Sequence, residues 1–257
     1  MKLAALFFCA GLYAVSVLPA AGKEWLYDYE IVAHHPHDSR NFTQGLCYED
    51  GILYEGTGQR GESALISRTL DGRVIRRENL APHYFGEGIT VFDEHIYQLT
   101  WTSGTALVWD QATMTRIGSR HYATQGWGLT GDGENLIMSD GSATLYFRRP
   151  DTFDIIKTVQ VQSESGPVRL LNELEYIENL VWANVWKSNR IVMIHPETGR
   201  VHGWLDLSKL AAPYAKAGTG RVLNGIAYDA ANKFIFVTGK YWPKLFVLRV
   251  TRKDDES

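Results

Sequence analysis

Glu87 sits between two glycines in Phe85-Gly86-Glu87-Gly88-Ile89-Thr90, immediately ahead of an apolar run. A lone carboxylate in that setting is a candidate proton shuttle, a base toward one group and then an acid toward another. Phrases of related form occur at Gln44-Gly45-Leu46, Trp127-Gly128-Leu129-Thr130, Asn172-Glu173-Leu174-Glu175 and Asn224-Gly225-Ile226-Ala227. Each leads through a polar turn to a second apolar run, after which come Gly56, Trp101, Asp140, Trp186 and Lys240. One acid, one cation, amides and three indoles are thus candidates for a single site. Taken singly, these residues have plainer explanations: turn chemistry for the glycines and polar heads, packing for the tryptophans. The set asks for more, provided the fold brings it to one place.

The repeat supplies that fold. Leu46, Ile89, Leu129, Leu174 and Ile226 are equivalent positions, spaced by 40 to 52 residues. Behind each, the chain reads as short strand, polar turn, apolar strand, loop, third strand, turn and fourth strand. Turns such as Glu49-Asp50-Gly51 and Phe92-Asp93-Glu94 are hairpin signals. Four short antiparallel strands per unit, at this period, is the pattern of propeller blades. The expected fold is all-β: a five-bladed β-propeller with four-stranded antiparallel blades. The fifth unit ends after its third strand, at Val250, so the alternating run Tyr27 to Val32 is expected to supply its outer strand and close the ring. Leu207 to Ala212 reads as a short helix with Ser208 as its cap, and Gln162 to Arg169 as a loop. In a blade the first strand runs along the channel and the second returns. Residues before first strands and after second strands therefore share one mouth, which gathers Gln44, Glu87, Trp127 and Asn172 with Trp101, Trp186 and Lys240.

A net charge of −3 offers no electrostatic case for nucleic acid. Residues 1–21 read as a secretory signal, with Lys2, an almost wholly apolar Leu3 to Leu18 and small residues at Pro19 to Gly22 for cleavage. The alternative is an uncleaved anchor. Cleavage leaves 22–257 as one domain, secreted or periplasmic, free of the membrane and expected to be a monomer. Cys9 would leave with the signal, so Cys47 stands alone without a disulfide partner and is expected as a small buried residue. His34-His35-Pro36-His37-Asp38 is spaced too tightly for a closed zinc site and reads as a surface loop. Asp140-Gly141-Ser142 reads as a hairpin turn rather than a nucleophile. Glu173 and Glu175 read as partners for backbone groups or cations before either is a second catalytic acid.

Seven ordered motifs carry a resemblance: Asn41-Phe42-Thr43-Gln44-Gly45-Leu46, Phe85-Gly86-Glu87-Gly88, Gln98-Leu99-Thr100-Trp101, Gly126-Trp127-Gly128-Leu129, Leu171-Asn172-Glu173-Leu174-Glu175, Ala183-Asn184-Val185-Trp186 and Thr238-Gly239-Lys240-Tyr241-Trp242-Pro243. From about Tyr29 to Val250 the chain resembles the plant-type (bacterial and plant) glutaminyl-peptide cyclotransferases, with no departure at the expected active positions. The resemblance implies a five-bladed propeller that converts the N-terminal glutamine of peptides and proteins to pyroglutamate and releases ammonia. It implies a site of Glu87 with Gln44, Trp101, Trp127, Asn172, Trp186 and Lys240, while Phe42 and Phe85 either line the pocket or pack beneath it. The animal-type enzymes are a different, zinc-dependent fold.

In that reaction nucleophile and electrophile share one molecule, so the enzyme must hold the bent conformer. One carboxylate can take the proton from the attacking amine and return it to the leaving ammonia. Lys240 and Gln44 can donate to the carbonyl oxygen as charge develops there, and Asn172 can bind the amine or first peptide group. Burial among indoles should raise the pKa of Glu87 and Lys240 should lower it, with the net direction open. This chemistry requires no metal or cofactor, and a structural cation in the channel stays open. Two rivals remain: a peptide-binding propeller without catalysis, and a calcium-dependent lactonase-like propeller, which would want several oxygen ligands on one ion.

Overall fold

The computed structural model describes residues 23–214 and 218–253. The expected signal at 1–21, with Cys9, lies outside those residues, as does the end of the charged tail. The fold is all-β and propeller-like, built from four-stranded antiparallel sets. The first three are separate sheets: Thr43–Glu49, Ile52–Thr57, Ala64–Arg68 and Val74–Asn79; then Gly86–Phe92, His95–Thr100, Thr105–Asp110 and Arg116–His121; then Leu129–Gly131, Leu136–Ser139, Thr144–Arg148 and Ile155–Gln160. A fourth set comprises Leu171–Ile177, Leu180–Val185, Arg190–Ile194 and Val201–Asp206, and a fifth begins with Leu223–Asp229, Phe234–Gly239 and Lys244–Arg252.

Trp25–Pro36 completes the fifth set, antiparallel to Lys244–Arg252. The closing strand is longer than the sequence suggested, and its first residues also pair in parallel with Val201–Asp206, so the fourth and fifth sets form one eight-stranded sheet. His34, His35 and Pro36 therefore belong to a strand, and the expected surface loop is corrected. The reason is that this edge continues to find ladder partners as far as Lys244. The helix Ser208–Ala211 is present, but Ser208 is its first residue and not its cap. The Ser208 amide donates to Asp206 Oδ1 at 2.8 Å. The segment 162–169 carries a two-residue hairpin rather than a plain loop.

Local chemistry explains the hairpins. Asp50-Gly51, Asp93-Glu94 and Glu178-Asn179 hold positive φ at both positions, the geometry that matches strand twist in a two-residue turn. The inner strands read as continuous apolar runs because a sheet covers each of their faces. Leu65, Ile89, Ile96 and Leu107 pack between the first and second sets, and Leu99, Leu129 and Leu136 between the second and third. Leu145, Leu171 and Leu174 lie between the third and fourth, and Ile191, Leu205, Ile226 and Phe246 between the fourth and fifth. Leu46 and Leu53 meet Phe236 and Leu245, so the fifth set packs back onto the first. Outer strands such as Val74–Asn79 are exposed, which is why their sequences are mixed.

Candidate active site

The polar heads of the repeated phrases are aimed by irregularities in the ladders. Pairing of first and second strands slips between Thr43 and Gly45, Gly86 and Ile89, Leu171 and Leu174, and Leu223 and Ile226. Gln44, Glu87, Asn172 and Asn224 fall in those gaps. Such bulges turn side chains out of the regular alternation. The freed backbone N–H groups must find partners elsewhere. Gly88 N donates to Trp127 O at 2.7 Å and Gly225 N to Asn184 Oδ1 at 2.8 Å. Leu46 N and Ile226 N donate to the two oxygens of Glu173, at 3.1 and 2.8 Å. Glu173 thus joins the first, fourth and fifth sets as a backbone acceptor. It stands where other phrases carry glycine, and those glycines permit close approach between sets. A Cβ on Gly88 would lie 2.6 Å from Leu129 N, and one on Gly128 would overlap the Asn172 carbonyl.

The seven residues expected at the mouth, Gln44, Glu87, Trp101, Trp127, Asn172, Trp186 and Lys240, line one cavity of about 190 Å³ together with Phe42 and Phe85, whose place the sequence left open. That space equals roughly six waters' share of liquid volume, enough for one small side chain with its flanking groups. Larger cavities exist, such as one of about 500 Å³ bordered by Glu49, Asp50, Glu175 and Asp229. The smaller one is singled out because its wall brings an acid, a cation and amides together.

Glu87 and Lys240 are both buried. Gln44 Nε2 donates to Glu87 Oε1 at 2.9 Å, and Asn224 Nδ2 donates to Gln44 Oε1 at 3.4 Å, which orients the Gln44 amide. Burial drives the Glu87 pKa well above the ordinary carboxylate value, against the lowering pull of Lys240. The direction left open by the sequence is therefore upward. Burial also pushes Lys240 down to about 8, opposed by the charge of Glu87. The Lys240 Nζ rests 4.4 Å from the centre of the Phe42 ring. Asn172 Oδ1 is buried with no hydrogen-bond partner among the described residues, an acceptor waiting for a donor.

The walls are aromatic. Phe42 packs edge-on to Phe85 at 5.9 Å, Phe85 to Trp101 at 5.6 Å, and Trp127 to Trp186 at 5.4 Å. Phe42 and Phe85 thus line the pocket and pack together at once. The cavity offers a carboxyl able to move a proton, an ammonium and an amide able to face a developing oxyanion, and an unpaired acceptor for an N–H. A family model described as "Glutamine cyclotransferase" matches residues 4–250. The chain belongs to the glutamine cyclotransferase family. It is 41% identical over 237 residues to the glutaminyl-peptide cyclotransferase of Arabidopsis thaliana, covering 90% of this chain and 73% of that one. It is also similar to the crystal structure of Myxococcus xanthus glutaminyl cyclase, with a TM-score of 0.84 and 35% identity over 90% of this chain and 100% of the other.

Other parts of this cyclotransferase-family chain follow, or depart from, the sequence reading. Asp140-Gly141-Ser142 is a turn, with Ser142 N donating to Asp140 Oδ1 at 3.0 Å, and a Cβ on Gly141 would lie 2.7 Å from the Trp127 ring. Cys47 is buried and free, its pKa driven well up by burial. Glu175 lies away from the cavity. It accepts from Tyr228 N at 3.1 Å, and burial raises its pKa to about 8.

His37 was misplaced by the surface-loop reading. It is buried between Glu55 Oε1, at 3.0 Å from Nε2, and the carbonyl of Trp242, at 2.6 Å from Nδ1. Glu55 also accepts from Asn41 Nδ2 at 2.9 Å and Thr43 Oγ1 at 2.7 Å. This network ties the segment bearing Phe42 and Gln44 to the one bearing Lys240. The signal was a carboxylate in an apolar second strand, which demands a partner. Gln125 was missed altogether, since nothing local marks it.

Proposed function

We propose that this chain is a glutaminyl-peptide cyclotransferase, which converts N-terminal glutamine of peptides and proteins to pyroglutamate. The α-amine attacks the γ-carboxamide carbon of the same residue. A C–N bond forms, the ring closes to five members, and the old C–N bond breaks to release ammonia. Glu87 accepts the proton of the attacking amine and delivers it to the departing nitrogen. A carboxyl with a raised pKa suits both halves of that transfer, being a stronger base than an ordinary carboxylate and a ready acid once protonated. Lys240 and Gln44 stabilise the oxyanion, and Asn172 Oδ1 receives an N–H of the substrate. Trp101, Trp127 and Trp186 enclose the folded side chain, with Phe42 and Phe85 completing the wall. Neither a metal nor a cofactor has a role in these steps.

The observation that carries this reading is the buried Glu87 beside Gln44 and Lys240, in a cavity sized for one side chain. The wider assignment is a single domain over 22–257, a five-bladed propeller whose blades are the four-stranded sets, closed by Trp25–Pro36. The packing of the fifth set on the first supports that count. Residues 1–21 would direct the protein out of the cytoplasm, to act as a secreted or periplasmic monomer.

The test is ammonia release from a Gln-initiated dipeptide, with the cyclised product identified by mass, with and without chelator. Chelator-resistant turnover is expected. Binding of the peptide without release would replace the enzyme by a binding module. Release abolished by chelator would favour an ion-dependent site, although among the described residues no three His, Cys, Asp or Glu side chains gather as ligands.

A further inference from the structure

Two indoles of the wall share one acceptor. Trp101 Nε1 lies 2.7 Å from Gln125 Oε1, and Trp127 Nε1 lies 3.0 Å from the same atom. Indole N–H groups only donate, so the convergence of two of them settles which end of the Gln125 amide faces inward. Trp101 follows the second strand of its set and Trp127 precedes the first strand of the next, so Gln125 bridges neighbouring sets. The backbone holds the bridge in place, because Gly126 N donates to Trp101 O at 3.0 Å.

The bridge completes the wall. Phe42, Phe85 and Trp101 form one run of edge-on contacts, while Trp127 and Trp186 form another. Among the described residues no ring contact joins the two runs; Gln125 does. Trp101 is 38% exposed, so packing alone leaves its indole much freedom to swing. We propose that Gln125 is a positioning residue: its amide oxygen clamps Trp101 and Trp127 and thereby sets the width of the slot that receives the substrate's glutamine side chain. It acts through the indoles and touches no reacting atom. This inference rests on the proposed cyclisation for its kinetic consequence, but the clamp itself can be observed without turnover.

The experiment compares Gln125→Leu, which removes the acceptor at similar size, with Gln125→Glu, which retains an oxygen acceptor. In Gln125→Leu both indoles lose the acceptor that orients them, so substrate binding must re-order them and KM should rise roughly tenfold. The kcat should stay within about twofold, because the proton-transfer groups are untouched, and the melting temperature should fall by no more than roughly 4–8 °C, the share of two exposed hydrogen bonds. Gln125→Glu should recover most of the KM. In parallel, 15N-indole spectra of both variants report on the clamp. The Nε1–H resonances of Trp101 and Trp127, assigned by Trp→Phe replacement, should move together in Gln125→Leu and exchange faster with solvent. Unchanged indole resonances in Gln125→Leu would overturn the clamp, as would a Gln125→Glu variant as impaired in KM as Gln125→Leu. If the wild type released no ammonia, the proposed reaction would fail while the indole spectra still decided the clamp.

Discussion

Replacing Glu87 by Gln separates the chemistry of the site from its architecture. The change preserves shape, and the new amide oxygen can still accept from Gln44 Nε2, now 2.9 Å from Oε1. Two catalytic losses follow. The proposed proton shuttle disappears, which should remove about 10²–10⁴ in rate. Lys240 is also affected, since the charge of Glu87 is what holds its pKa up against burial. Without it, Lys240 falls below about 8 and part of the ammonium is lost at neutral pH. Together these predict a fall in kcat of at least about 10³, near 4 kcal/mol in the barrier. Stability should move the other way. A carboxyl whose folded pKa is raised binds its proton more tightly in the folded state, so stability declines as pH rises from the unfolded value of 4.5 through the raised folded value. Above the unfolded value the buried carboxyl is therefore a net cost to folding, and a neutral Gln relieves it. The assay is ammonia release under saturating Gln dipeptide, alongside thermal melting at neutral pH. A variant within about tenfold of wild-type kcat would refute the shuttle. One that melts well below wild type would show Glu87 to be a structural acceptor instead.

Lys240 predicts an alkaline limb: kcat/KM should decline as pH rises through about 8, where its ammonium is lost. Its folded pKa lies below the ordinary lysine value of 10.5, so the charged form costs on the order of 3 kcal/mol below pH 8, and this is relieved as pH climbs from about 8 to 10.5. Melting curves across that window should show the relief in wild type but not in Lys240→Met, and parallel curves would contradict it. Gly128→Ala forces a Cβ onto the Asn172 carbonyl, where only backbone can yield, so a cost of about 3 kcal/mol or more is expected. In a domain of this size that is a drop of roughly 6–12 °C in melting temperature, and a wild-type melt would refute the close-approach reading. Glu55 is buried, and burial alone would raise its pKa, but His37, Arg68 and the Thr43 hydroxyl hold it down to about 2. Glu55→Gln leaves the buried Arg68 guanidinium uncompensated and should cost about 3–5 kcal/mol by denaturant titration. Its stabilising contribution in wild type should be present above pH 4.5 and fade as pH falls through about 2.

The chain's own order determined more of this protein than is usual. A phrase repeated at Leu46, Ile89, Leu129, Leu174 and Ile226 established the strand count per unit, because each unit must bury the same strands against like neighbours. The missing fourth strand after Val250 called for Tyr27 to Val32, and that segment pairs there. Seven residues of the mouth were legible for the same reason: equivalent positions in a repeat come to equivalent places; Phe42 and Phe85 came only from the resemblance, with packing beneath the pocket left open. What the repeat could not convey was anything that depends on a sum over distant neighbours. The upward pKa of Glu87 is a balance of desolvation against one charge 153 positions away, Lys240. His37 looked like a surface residue until Glu55 and Trp242 closed around it. Gln125 carries no mark in its own segment, because its importance lies in two indole N–H groups that meet only when adjacent sheets pack. Periodicity is written locally; burial, charge balance and shared acceptors exist only once the sheets have assembled.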